Sequence, residues 1–237
     1  MIILHEDNHI IVVVKPQGVP SQADSSGDSD MLSQVREYIR VKYNKPGNVF
    51  AGLVHRLDRP TGGVMVFAKT SKAAARLSEQ ISKGQMVKKY FAVVIGCPLD
   101  RGGKLRHYLT KDTANNIVTA HNAAIAGSRA AELEYRILED GGSSSLVDIR
   151  LITGRSHQIR AQMQKIGHPV FGDVKYGGDT LAKGHNLALW AYELQFAHPT
   201  KGVTMVYKVF PPVDNVPWKH FGIDRHMGAS KPPEDIY

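Results

Sequence analysis

The chain turns on His55-Arg56-Leu57-Asp58-Arg59-Pro60-Thr61-Gly62-Gly63 and the apolar run behind it, Val64-Met65-Val66-Phe67-Ala68. Pro60 fixes its own φ and drives Arg59 out of helical geometry, so the first nine residues read as a structured loop. Gly62 and Gly63 permit a tight turn or the close approach of another backbone. The five residues that follow are apolar and β-prone, as expected of a buried strand. One acid, Asp58, is therefore expected on a constrained loop at a sheet edge, where catalytic groups often lie. The arginines on either side are expected to favour its ionised form. The local pattern leaves a second reading open, because an Asp in a basic loop also serves as a salt bridge or turn former.

Working outward, residues 2–4 and 10–15 read as two strands joined at Asp7-Asn8. Leu32, Val35, Ile39 and Tyr43 recur at helical spacing, with Asp30 as N-cap. Thr70 or Ser71 caps a second helix striped by Ala74, Leu77 and Ile81 and ended by Gly84. From Met86 the chain is mostly extended, with strands expected near 88–95, 104–111, 116–121, 129–139, 145–152, 187–197 and 203–210. A short helix is expected to start at Ser156 and stop at Gly167. Clustered strands with few helices between them argue for α+β with an antiparallel or mixed sheet, not a βαβ nucleotide-binding fold. No linker divides the interior. Residues 1–212 are read as one domain, with room for two lobes, and 213–237 as a C-terminal extension poorly ordered beyond Met227.

The 237 residues carry a net charge of +8, and its position matters more than its size. Between Lys69 and Lys111 stand ten Lys or Arg against two acids, so the remainder of the chain is neutral. A local basic excess suggests a polyanion-binding face, set against the plainer reading of solvated helix and strand surfaces. The one cysteine, Cys97, excludes an internal disulfide, fits a reducing cytoplasm and is expected to be a buried structural thiol. No apolar run is long enough to cross a bilayer, so no membrane partner is expected.

Three other stretches carry chemistry. Thr153-Gly154-Arg155-Ser156-His157-Gln158-Ile159-Arg160 places a glycine turn before a helix start, a place favourable to phosphate or carboxylate. His157 and Arg160, three apart, are expected on one helical face, and an arginine there can grip a carboxylate bidentately. Tyr90 follows Lys88-Lys89 on a strand, and aromatics beside cations can stack on single-stranded bases; alone, it reads better as core. Gly167-His168-Pro169 and Gly172-Asp173-Val174-Lys175-Tyr176-Gly177-Gly178 look like an ordered loop whose glycines serve turns. No zinc-spaced Cys pair, His-Glu-x-x-His helix, phosphate-binding glycine loop or dinucleotide fingerprint occurs, so neither metal nor cofactor is expected.

These segments together resemble the RluA-type RNA pseudouridine synthases. The matching blocks are His55-Arg56-Leu57-Asp58 with Thr61 and Gly63; Lys89-Tyr90 with Ala92, Val94 and Gly96; and Thr153 through Arg160, continuing to Gly167, Pro169, Gly172, Asp173, Tyr176 and Gly177. The opening Glu6-Asp7 and Lys15-Pro16-Gln17-Gly18 also resemble the family's start, so the likeness covers residues 1 to 212. Gly62 departs from the pattern, standing where the family usually has Ser. The resemblance begins at the catalytic domain, which implies that this body binds RNA without a preceding S4-type domain.

What the resemblance implies is a pseudouridine synthase-like α+β fold: a curved, mainly antiparallel mixed sheet flanked by helices and loops, with a central catalytic cleft. It implies isomerisation of uridine to pseudouridine in ribosomal or transfer RNA, without cofactor or metal. Asp58 would be the essential carboxylate, acting as nucleophile or as base at the ribose, Tyr90 would pack against the flipped uracil, and Arg160 would pair with Asp58. Arg56 would enter the RNA where the base has left, and His55, Lys88, Lys89, Arg155 and His157 would line the RNA path. A cytoplasmic monomer acting on RNA, not DNA, is expected. The competing class is an RNA-binding or RNA-folding protein that keeps the scaffold without chemistry. A glycosidic hydrolase is disfavoured because no second acid adjoins the motif.

Overall fold

The computed structural model describes residues 1–177 and 184–228. In chain order its elements are β1 (Ile2–Glu6), β2 (Ile10–Lys15), α1 (Met31–Lys42), β3 (Gly52–Leu53), β4 (Gly62–Ala68), α2 (Ser71–Ser82), β5 (Val87–Ile95) and β6 (Gly102–Asp112). Then come β7 (Ile117–His121), β8 (Arg129–Asp140), β9 (Ser144–Leu151), α3 (Gln158–Lys165), β10 (Leu189–Ala197), β11 (Thr204–Lys208), a 3₁₀ turn (Trp218–His220) and α4 (Ile223–Met227). Strands of mainly antiparallel pairing with a few helices make this an α+β protein, as the strand clustering predicted. The chain divides into two compact units. Met1–Val87 with Ala191–Val209 form the first, and Lys88–Trp190 with the described residues after Val209 form the second.

In the first unit β2 pairs antiparallel with β1 and with β4, from Ile10 opposite Ala68 to Lys15 opposite Gly63. β3 adds to β4, β10 neighbours β4, and β11 closes on β10. Every residue of β2 and β4 is buried, which is why both read as unbroken apolar runs. The link between β1 and β2 is an Asx turn, in which Asp7 Oδ1 accepts from the backbone of His9 (2.7 Å) and Ile10 (2.9 Å). Gly63 has φ +128°, and a Cβ there would overlap the Ala191 backbone, so this glycine serves a close approach.

Two capped helices complete this unit. Asp30 accepts from Ser33 N at 3.0 Å, and α1 buries Met31, Val35 and Ile39. Thr70, not Ser71, caps α2, accepting from Ala73 N at 3.1 Å. Gln80 then fastens α2 to β10, donating to Ala197 O (2.9 Å) and accepting from Ala197 N (2.8 Å).

The second unit is built on an antiparallel sheet in the order β5-β9-β8-β6-β7. Its exposed face is a ladder of directly opposed charges. Lys104 faces Glu134 (2.9 Å), Arg106 faces Glu132 (2.9 Å), and Arg150 faces Glu134 (3.2 Å). α3 packs on β6 and β7, where Ala161 joins Leu109, Val118, Ala120 and Ala131 in one apolar cluster.

Several expectations need correction. Helix α3 begins at Gln158, not Ser156. The residue before it, His157, stands in the left-handed region (φ 50°), and the Gln158 amide closes the turn by accepting from Arg155 N (3.0 Å) and Thr153 Oγ1 (2.8 Å). His157 therefore lies just outside the helix it was expected to share with Arg160. Cys97 is half-buried, not buried. Ahead of the tail, and in keeping with the expectation, Glu139 accepts from Gly222 N (2.9 Å) and pairs with His226 Nε2 (2.8 Å), tying α4 to β8. Gly178 and the tail from residue 229 lie outside the described residues.

Glu6 is the main polar junction of the first unit, accepting from Lys42 and Lys69 Nζ (both 2.5 Å), Tyr43 Oη (2.8 Å) and Tyr38 Oη (2.9 Å). Burial alone would raise its carboxyl pKa. The four donors outweigh that, Lys42 and Lys69 foremost, and lower it from 4.5 to about 2. A depressed carboxylate adds stability that is complete above 4.5 and lost as pH falls toward 2. Glu6→Gln should therefore cost about 1–2 kcal/mol at neutral pH, with the gap to wild type closing through that acid window. Urea unfolding across the window checks this, and a pH-independent gap would contradict it.

Candidate active site

The loop around Asp58 is held in place by the segment that leaves β2. Ser21 Oγ donates to Leu57 O (2.7 Å) and accepts from Leu57 N (3.1 Å), fastening both polar groups of that residue. Gly18 N (2.9 Å) and Lys15 Nζ (3.0 Å) both donate to Arg59 O, and Gln17 Nε2 donates to Pro60 O (2.9 Å). Thr61 N closes the turn onto Asp58 O at 2.9 Å. His55 Nε2 accepts from Val66 N (3.1 Å), joining the loop to β4. The residues immediately before and after Asp58 are thus tied down while the acid stays half-buried. A loop with so many satisfied backbone groups has little freedom to move its carboxylate.

The charges around Asp58 differ from the expected pair of arginines. Arg59 turns to Asp28, with Asp24 at 3.9 Å and its Nε on Gly18 O at 3.0 Å. Arg56 is exposed. Neither flanking arginine clasps the acid, because the clamp bonds orient this stretch of backbone and carry their side chains outward. Within the first unit Lys15, which is fully buried, interacts electrostatically with Asp58. Burial drives the Lys15 ammonium down from 10.5 to about 7, opposed by attraction to Asp58 and assisted by repulsion from Arg59. The sequence reading named Lys15, Gln17 and Gly18 only as part of a resembling motif, and it gave Ser21 no role.

In the second unit Tyr90 lies on β5 opposite Ile149 and is 6% exposed. Arg160, also buried, makes a bidentate pair with Asp173, Nε to Oδ2 and NH2 to Oδ1, both at 2.7 Å. Asp173 Oδ1 additionally accepts from Lys175 N (3.0 Å) and Tyr176 N (3.1 Å), so this buried pair is well satisfied. The Arg160 guanidinium stands 5.0 Å from the Tyr176 ring centre. Tyr176 Oη accepts from Val118 N (2.8 Å) and meets His157 Nδ1 at 2.9 Å. His157 and Arg160 therefore converge on Tyr176 despite the correction to α3. The bidentate partner of Arg160 within its own unit is Asp173, a residue the sequence marked only by family resemblance.

The expected RNA-binding residues differ in exposure. Arg56 and Arg155 are exposed, Arg155 donating from Nε to Ala130 O (3.2 Å). Lys88 and Lys89 are half-buried; burial lowers the Lys88 pKa, and a Cβ at Gly154 would lie 3.0 Å from its Nζ. His157 is buried and His55 is engaged by the β4 backbone. Nor is the basic stretch a bare cationic face. Lys69 pairs with Glu6, Lys83 with Glu79, Lys104 with Glu134 and Arg106 with Glu132, so acids from outside or within the stretch neutralise these four.

The buried Lys15 gives a measurable pH signature. In the unfolded chain it keeps its proton up to about 10.5, whereas in the folded state it sheds it near 7, so its unfavourable burial is relieved across that window. Wild type should gain stability relative to Lys15→Met as pH rises between those values. Denaturation midpoints of both proteins at about pH 6, 8 and 10 test this, and a constant difference would show that Lys15 does not titrate there.

With the geometry in view, comparison with known proteins is direct. Residues 9–165 match the family model for RNA pseudouridylate synthase. The chain is 33% identical over 228 residues to ribosomal large subunit pseudouridine synthase D of Yersinia pestis, covering 90% of this chain and 68% of that protein. It is 34% identical over 214 residues to the dual-specificity RNA pseudouridine synthase RluA of Salmonella typhi, covering 88% and 92% respectively. The structure of human RNA pseudouridylate synthase domain containing 4 superimposes with a TM-score of 0.76 at 22% identity, covering 98% of this chain and 95% of the other, which supports the fold. The chain belongs to the RluA-type RNA pseudouridine synthase family and is an isomerase acting on RNA.

Proposed function

We propose that this chain converts uridine to pseudouridine at defined positions of ribosomal or transfer RNA, with Asp58 as the reacting carboxylate. The observation that carries the reading is the clamp on both neighbours of Asp58, Leu57 through Ser21 and Arg59 through Lys15 and Gly18. Such preorganisation has a cost in chain freedom that a surface turn former does not require. The names of the relatives, one acting on the ribosomal large subunit and one of dual specificity, support the substrate class.

A stacked uridine hides its glycosidic bond, so it is first extruded from the RNA, at a cost of a few kcal/mol. The N1–C1′ bond then breaks, the uracil turns, C5 bonds to C1′, C5 gives up its proton and N1 gains one. The overall change is an isomerisation without net redox, so it calls for no cofactor. Asp58 acts at the ribose, either adding to C1′ or serving as base there. On the family resemblance, Tyr90 serves the uracil, Arg160 the orientation of the carboxylate, and Arg56 the space the base has left. Asp173 would hold the Arg160 guanidinium in one plane. The protein works in this reading as a cytoplasmic monomer. Among the described residues no helix is long and apolar enough to cross a membrane.

Quantifying pseudouridine in RNA after incubation with wild type or Asp58→Ala tests the assignment. Wild type should form it, and the variant should lose at least about a hundredfold in rate while keeping its fold. Equal formation by both would remove Asp58 as the catalyst, and release of free uracil would indicate hydrolysis instead.

A further inference from the structure

A groove in the first unit lies apart from the Asp58 loop. It is bounded by one face of α1, carrying Ser33, Arg36, Glu37 and Arg40, and by the chain from Gly47 to Phe50 that approaches β3. Its volume is about 640 Å³, within the range of small-ligand sites. Phe50 is 49% exposed at its wall, although the surrounding groups are polar. Among the described residues Arg36 has no ion-pair partner. Arg40 is held by Glu37 through two bonds (2.8 and 2.7 Å), an exposed pair of the kind that contributes little and can yield to a stronger anion. The groove lining carries two bases, Arg36 and Arg40, and one acid, Glu37, and so keeps a net positive charge.

We infer that this groove binds a single-stranded nucleotide of the RNA substrate, outside the reacting uridine, with a phosphate at Arg36 and Arg40 and a base stacked on Phe50. Guanidinium groups suit phosphate oxygens, and an exposed ring beside them offers a platform that any base can use. Asn48 supplies an amide that can donate to or accept from a base edge. The α1 spacing explains the alignment, because positions 33, 36, 37 and 40 fall on one face. The inference rests on the RNA-substrate reading above, and it assigns a subsite that the family motifs do not touch.

The test uses the full chain and a fluorescent single-stranded RNA hexamer, with affinity followed by anisotropy against salt. Phe50→Ala should weaken binding about tenfold, and Phe50→Tyr should restore it, since the ring and not the bulk is required. Arg36→Glu, at an exposed position with no ion pair among the described residues, should weaken binding and reduce the salt slope by about one phosphate contact or more. Unchanged affinity and slope in Phe50→Ala and Arg36→Glu would overturn the inference. So would binding of polyglutamate more tightly than the hexamer, with that preference lost in Arg36→Glu, which would assign the groove to an acidic peptide. Asp58→Ala separates the two readings: it should still bind the hexamer through Phe50 even though it makes no pseudouridine. A wild type that binds through Phe50 yet modifies no RNA would sink the catalytic reading and leave the groove standing.

Discussion

Hydrogen bonds between residues 15–21 and the backbone of residues 57–60 hold the arrangement on which the proposed chemistry depends. Without them the stretch from His55 to Gly63 is a polar loop between two short strands, and its acid would sample many positions. With them, Leu57 is fixed from both sides by one hydroxyl, and the Arg59 carbonyl receives a peptide N–H and an ammonium. A carboxylate that adds to or deprotonates a sugar gains from such positioning, because orientation is supplied before the substrate arrives.

The same clamp explains why a lysine is buried beside the acid. Placing an ammonium in the interior is costly, and the lowered Lys15 pKa reflects that cost. Its two carbonyl partners and its attraction to Asp58 offset part of it. The second unit solves a similar problem with Arg160 and Asp173, where the bidentate geometry and two further backbone donors satisfy the buried carboxylate. Both charged groups are held by contacts that a solvated surface would not supply.

Much of the scaffold was legible in the amino-acid order. The unbroken apolar runs of β2 and β4, the Asp30 cap and the helical spacing of α1 are local signals, and they appear where the periodicity puts them. The Asp58 loop was legible from Pro60. The clamp was not, because Ser21 and Leu57 are far apart in sequence and a side-chain bond to backbone leaves no periodic trace. Asp173 escaped for the same reason, lying thirteen residues beyond Arg160 with loop between. The five residues of α4 are too few to show a period. Linear charge misled most: Lys104 and Arg106 sit in a basic stretch, but antiparallel register sets Glu134 and Glu132 opposite them.

The claim that matters most is that this fixed aspartate isomerises uridine within RNA. Mapping every pseudouridine in total RNA from cells with and without the gene tests it most directly. The account predicts that one or more positions in ribosomal or transfer RNA lose the modification when the gene is absent and regain it with the intact chain. Identical maps in the two strains would contradict it.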